Sequence, residues 1–146
     1  MKILVSACLL GENVKYNGGN NYSEELHEYL KGHEVFSVCP EVLGGLPVPR
    51  IPCEIVNGVV FNKAGENKDK EFHDGAEQGL KMVEEFDIDL VILQPRSPSC
   101  GTKIIYDGTF SGNKISGNGV FSELLQANGF KPLESHRDFE VLKRQK

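Results

Sequence analysis

Residues 2–8 read Lys2-Ile3-Leu4-Val5-Ser6-Ala7-Cys8. A short apolar run, β-branched in part, reads as a buried strand, and this one ends on a cysteine ahead of Leu9-Leu10-Gly11. Two later runs repeat the arrangement. Glu34-Val35-Phe36-Ser37-Val38 leads into Cys39-Pro40-Glu41, and Leu90-Val91-Ile92-Leu93 leads through Gln94-Pro95-Arg96-Ser97-Pro98-Ser99 to Cys100. Helical patterns lie between and after them. Ser23 reads as an N-cap, with Glu24 and Glu25 in the first turn and Leu26, Tyr29 and Leu30 as the apolar face. Over 69–86, Phe72, Ala76, Leu80, Val83 and Phe86 recur at helical spacing and are expected to face the core. Val120, Phe121, Leu124 and Leu125 start a third helix that Gly129 ends.

Strand and helix in alternation predict an α/β fold: one Rossmann-like domain over 1–146, its sheet mainly parallel, with helices on both faces and small β-hairpin insertions. Right-handed crossovers bring the loops after parallel strands to one rim, where ligands bind. Cys8, Cys39 and Cys100 are therefore expected at one point. Three thiolates there hold a metal or cluster and leave a position open, as catalytic sites do and closed structural sites do not.

Composition bounds the rest. A chain of 146 residues builds an ordinary core without disulfide staples. Hydrophobic residues make up 39% and charged residues 25%, which excludes a disordered chain. No apolar run approaches the ~20 residues of a membrane span, and the first strand is too short for a signal peptide; a cytoplasmic protein is expected. A net charge of −5 argues against a nucleic-acid polymer as partner. Arg50, Arg96 and Lys103 leave contact with one small anion open. Cytosolic thiols stay reduced, so the four cysteines point to metal or catalysis.

The remaining segments read as turns and hairpins. Residues 40–52, with Pro40, Gly44, Gly45, Pro47, Pro49 and Pro52, are expected to form no regular structure. Asn57-Gly58 marks a hairpin over 54–61. Asp107-Gly108 marks a second over 104–110, and 112–119 reads as a flexible loop. A late strand is expected over 132–134 and a frayed basic tail from Lys143.

Among the cysteines, Cys53 follows no core strand and reads as packing or as support for the site. With no Cys-x-x-Cys pair, a zinc ribbon and a thioredoxin motif find no support. His27, His33, His73 and His136 lie in helices or polar turns, away from the cysteine loops. Soft thiolates with one position unfilled by protein favour zinc or an iron–sulfur cluster. Glu41, two residues after Cys39, is placed to act as a general base. Ser97 and Ser99, flanking Pro98 before Cys100, are placed to hydrogen-bond substrate or developing charge. No Walker motif and no Gly-x-Gly-x-x-Gly is present.

Several of these stretches also carry a family resemblance. Ser6-Ala7-Cys8-Leu9-Leu10-Gly11, Tyr16-Asn17-Gly18, Cys39-Pro40-Glu41, Gly44-Gly45-Leu46-Pro47, Pro49-Arg50, Ser97-Pro98-Ser99-Cys100-Gly101, Ile105-Tyr106-Asp107-Gly108-Thr109-Phe110 and Gly117-Asn118-Gly119-Val120 occur in order along nearly the whole chain. Together they resemble the thiouracil desulfidase family. The resemblance implies a [4Fe-4S] cluster on Cys8, Cys39 and Cys100, with one iron not ligated by protein. It implies non-redox cleavage of a carbon–sulfur bond in a thiolated pyrimidine base, nucleoside or nucleotide, through a [4Fe-5S] species that releases sulfide. Glu41 and Ser97 match the family's catalytic glutamate and serine, and Gln94 stands where many relatives carry lysine. A monomer or small homo-oligomer is expected. Two other readings use the same cysteines: a non-catalytic carrier of sulfide or an iron–sulfur cluster, and a zinc-dependent hydrolase.

Overall fold

A computed structural model describes residues 1–135. Four strands form the central sheet: β1 (Lys2–Ser6), β2 (Glu34–Val38), β5 (Leu90–Leu93) and β8 (Leu133–Glu134). Their order is β2-β1-β5-β8 and every pairing is parallel. Two antiparallel hairpins stand apart from it, β3 (Cys53–Val56) with β4 (Val59–Asn62) and β6 (Ile104–Tyr106) with β7 (Lys114–Ser116). The helices are α1 (Glu24–Leu30), α2 (Pro40–Leu43), α3 (Asp69–Glu85) and α4 (Val120–Ala127). No described helix is long and apolar enough to cross a membrane.

The period-2 alternation of β1 assigns the two faces. Ile3 and Val5 pack with Leu26, Tyr29 and Leu30 of α1. Leu4, pointing the other way, packs with Phe72, Ala76 and Val83 of α3 and Phe121 and Leu125 of α4. Ile3, Leu4 and Val5 are fully buried. Helices thus cover both faces, as the alternating pattern predicts. The chain runs outward from β1 to β2 and then returns past β1 to β5. Its topological switch point therefore lies between the carboxyl ends of β1 and β5.

Local signals are obeyed where no distant segment competes. Ser23 accepts a hydrogen bond from the Leu26 N–H and caps α1. Asn57 and Gly58 both take positive φ, the requirement of a tight two-residue hairpin turn. Residues 40–52 differ from expectation, because Pro40–Leu43 is a helical turn. Proline is pre-set for the first helical position, where its missing N–H costs nothing. That turn lies backbone to backbone on α3: a Cβ at Gly75 would overlap the Pro40 carbonyl, and one at Gly44 the carbonyl of Glu71.

The second hairpin also differs. Asp107-Gly108 is not its turn; β6 pairs with Lys114–Ser116, inside the stretch expected to be a loop. The Glu54 carboxylate of β3 accepts the N–H groups of Gly108 and Phe110 and holds the connection open. Phe86 follows the last residue of α3, is 40% exposed and stacks on Phe36, rather than entering the core. The late strand is present as β8. His136 and the tail from Lys143 lie outside the described residues.

Candidate functional site

The carboxyl ends of β1, β2 and β5 open into one cavity of about 510 Å³, a size suited to a small ligand. Cys8 enters it from a 3-10 turn (Ala7–Leu10) directly after β1. Cys39 enters from the N-cap position of α2, and Cys100 from the Ser97-Pro98-Ser99 loop after β5. All are free thiols. The three are close enough to feel one another: charge on Cys39 raises the pKa of Cys8, and charges on Cys39 and Cys8 raise that of Cys100. Burial is the larger cause of the upward shift in each.

Each sulfur also has groups that favour its thiolate. Asn21 Nδ2 lies 3.8 Å from Cys8 Sγ. The backbone N–H groups of Val42 and Glu41 favour ionised Cys39. The Ser6 hydroxyl does the same for Cys100, and Ser99 Oγ lies 3.7 Å from that sulfur. Buried sulfurs supplied with hydrogen-bond donors suit a soft, positively charged group that takes thiolates. Among the described residues, no three His, Cys, Asp or Glu side chains converge tightly enough for a single metal ion. A polynuclear iron–sulfur centre fits this donor set, since each thiolate then binds a different iron.

Glu41 stands beside the thiols in the first turn of α2. Its Oε1 accepts from Arg50 Nε at 3.1 Å, and its Oε2 accepts from the Ser99 hydroxyl at 2.8 Å. Ser97 Oγ lies 2.9 Å from Ser99 Oγ and 3.5 Å from Glu41 Oε2. Ser97 Oγ already accepts the N–H groups of Ser99 and Cys100, each at 3.1 Å. Its own proton therefore points to Ser99, whose proton points to Glu41. The result is a hydrogen-bonded line from Ser97 through Ser99 to a carboxylate, along the wall that holds Cys100.

The sequence alone offers Arg50 as a contact for a small anion. In the structure it braces the site instead, with its side chain only 6% exposed and its guanidinium committed. Besides Glu41, it donates to the carbonyls of Pro47 and Val14. Its backbone N–H donates to the Tyr16 carbonyl at 2.7 Å. Arg50 thus joins the loop after β1 to the loop after β2 behind the carboxylate. Arg96 remains exposed at the cavity wall with φ +64°.

Cys53 opens β3 and lines the same cavity. Its Sγ–H donates to the Ile51 carbonyl at 3.7 Å, and burial with the nearby Glu41 charge pushes its pKa up to about 12. Among the described residues, none that lines the cavity is a histidine. Sequence reasoning misses Ser6 and Asn21, because a serine at a strand end and an asparagine in a polar loop carry no local signature of what they will face. Tyr106 and Phe110, read as parts of a turn, belong to the cavity wall.

Comparison with known proteins matches residues 3–136 to the family described as 2-thiouracil desulfurase. The chain is 36% identical to the protein YbbK of Bacillus subtilis (strain 168), a match covering 96% of this chain and 99% of that one. It is also similar to the solved structure of the [4Fe-4S]-dependent thiouracil desulfidase TudS. There the TM-score is 0.88 and the identity 35%, with 99% of both chains covered.

Proposed function

The chain belongs to the 2-thiouracil desulfurase family and is an enzyme of that class, and we propose that it replaces the sulfur of a thiolated pyrimidine with oxygen from water, using a [4Fe-4S] cluster held by Cys8, Cys39 and Cys100. The substrate is a small molecule: a thiouracil, or 4-thiouridine or its monophosphate. The reaction conserves electrons, since a thiocarbonyl and water give a carbonyl and hydrogen sulfide.

The cluster, when bound, supplies an iron without a protein ligand that draws electron density from the thiocarbonyl through its sulfur. The protein's own groups do the proton work. Glu41 takes the proton of the attacking water, so that oxygen adds to the polarised carbon. Protonated Glu41 then returns that proton to Ser99 as Ser99 passes its own to Ser97 and Ser97 gives one to the departing sulfur, so that the carboxylate and both hydroxyls end as they began. Arg50, bonded to Oε1, holds the carboxylate in place.

One observation carries this reading: a carboxylate bonded to a serine line within the cavity that three free thiols share. Anaerobic purification with iron and sulfide quantitation, followed by assay with 2-thiouracil and 4-thiouridine, tests it. Sulfide release that scales with iron content supports it, and Cys8→Ala, Cys39→Ala and Cys100→Ala each lose iron while Cys53→Ala keeps it. Full activity in cluster-free protein overturns it. Zinc in place of iron indicates a hydrolase, and an intact cluster without turnover indicates a carrier.

A further inference from the structure

The segment Tyr106-Asp107-Gly108-Thr109-Phe110-Ser111-Gly112 contributes nothing to the proton line, yet Tyr106, Phe110 and Gly112 all line the cavity. Its polar side chains bond among themselves instead. Asp107 Oδ1 accepts the N–H and the hydroxyl of Thr109, Thr109 Oγ1 meets Ser111 Oγ, and Asn113 Nδ2 donates to Ser111 Oγ. None of those four residues lines the cavity. Phe110 takes φ +56°, a left-handed conformation that a bulky side chain rarely adopts. Such strain persists only where the surroundings enforce it, and two contacts from other elements do so here. Glu54 of β3 accepts the Phe110 N–H at 3.2 Å and the Gly108 N–H at 2.9 Å. Ile105 of β6 pairs with Arg96, in the loop that carries Cys100. The Phe110 ring so placed is partly exposed and belongs to the hydrophobic core on neither face of the sheet. Among the described residues it stacks on no other aromatic ring.

We propose that Phe110 is a binding residue whose ring stacks on the face of the pyrimidine. The assignment rests on the thiopyrimidine reading above and deepens it. A pyrimidine presents two kinds of surface, a polar edge and two flat π faces. The loops after β1, β2 and β5 supply thiols, a carboxylate and hydroxyls, which serve the edge and the reacting carbon–sulfur bond. An aromatic side chain that leaves the core and is held at the cavity in a strained turn serves a face. Stacking also fixes the plane of the ring, and with it the direction in which the sulfur and the attacked carbon are presented. It makes no demand on N1, so base, nucleoside and nucleotide are recognised alike. Glu54 acts at one remove, as the positioning residue that holds the Phe110 backbone.

Binding of uracil and 5,6-dihydrouracil to the cluster-loaded protein, measured by calorimetry, tests this without relying on turnover. The two ligands share both ring N–H groups and both carbonyls, but saturation of C5 and C6 puckers the dihydro ring and removes its π face. The wild type is expected to bind uracil about fivefold or more tighter, as the worth of base–aromatic stacking implies. Phe110→Leu, apolar but without a π face, is expected to lose that preference and keep its iron. Phe110→Tyr, which retains the ring, keeps the preference. Glu54→Ala, which releases the Phe110 backbone, should shrink it, and an undiminished preference there removes Glu54 from the assignment. Equal binding of the two ligands by the wild type, or binding of neither, overturns the role of Phe110, as does a preference that survives in Phe110→Leu. Sulfide release from 2-thiouracil without a preference for the flat ring removes Phe110 but leaves the desulfidase reading. A Phe110-dependent preference without any sulfide release does the reverse.

Discussion

The Ser99 hydroxyl donates a 2.8 Å hydrogen bond to Glu41 Oε2 across a separation of 58 residues. The two residues follow β5 and β2, the strands on either side of β1. The bond therefore passes over the end of the central strand, where the Ala7–Leu10 turn carries Cys8. A carboxylate on one neighbour and a serine on the other close a proton path beside the three thiols, although no segment contains more than part of it.

Glu41→Gln keeps an acceptor for Ser99 but cannot take a proton. Its kcat for sulfide release is expected to fall about 10²–10⁴-fold, the usual worth of a positioned general base. Iron per protein should match the wild type. Undiminished turnover would remove Glu41 from the mechanism.

Ser99→Ala breaks the link to Glu41 and leaves Ser97 Oγ, at 3.5 Å, as the nearest hydroxyl. A hydrogen bond to a charged group contributes about 1.5–3 kcal/mol, so kcat should drop about tenfold or more. Ser97→Ala instead strips the acceptor from the Ser99 and Cys100 N–H groups. It should lower the melting temperature more than Ser99→Ala does. Steady-state kinetics and thermal melts on the same preparations separate the two effects.

Arg50→Ala leaves the Glu41 carboxylate, with its side chain 13% exposed, without its cation. Breaking such a buried pair from one side costs about 3–5 kcal/mol, and the bonds to Val14 and Pro47 are lost as well. Arg50→Lys keeps the charge but not the planar fork that serves three acceptors at once, so it should recover part of the loss. Chemical denaturation of the pair of variants checks the order.

Gly75→Ala places a methyl group against the Pro40 carbonyl and forces α2 off α3. Overpacking of this kind costs about 1–3 kcal/mol. Because α2 carries Glu41 and is capped by Cys39, activity and iron content should fall together with stability. A variant that is destabilised yet keeps full activity would show that the site tolerates movement of α2.

The Cys53 thiol, pushed from 9.0 to about 12, sets an alkaline limit on the cluster-free protein. Below pH 9 the thiol is neutral folded and unfolded, and its contribution is complete. Between pH 9 and 12 the unfolded chain releases its proton while the folded chain holds on, so stability falls as pH rises. The melting-temperature advantage of wild type over Cys53→Ala, measured under reductant, should shrink across that window. A constant difference would contradict the shift.

Much of this was legible because it is written locally. The β-branched runs ending at Ser6, Val38 and Leu93 announce parallel strands, and a cysteine in the turn after each is carried to the shared edge by the topology. Glu41 and Ser97 could be found by their nearness in sequence to Cys39 and Cys100. The helical turn at Pro40–Leu43 was not legible, because it depends on Gly44 and Gly75 letting two backbones touch. The second hairpin escaped for a similar reason, since Glu54 of a different hairpin overrides the turn signal of Asp107-Gly108.

The sequence by itself determined the order of elements, the faces of the sheet and the delivery of three thiols to its carboxyl edge, all of which follow from short-range periodicity and chain topology. Only the tertiary structure decided that Arg50 backs Glu41, that Ser99 reaches Glu41, and that Ser6 joins the end of β1 to the end of β5. Those are hydrogen bonds between segments far apart in the chain. Their partners are fixed by how packed elements meet in space, and no local pattern of residue types encodes that meeting.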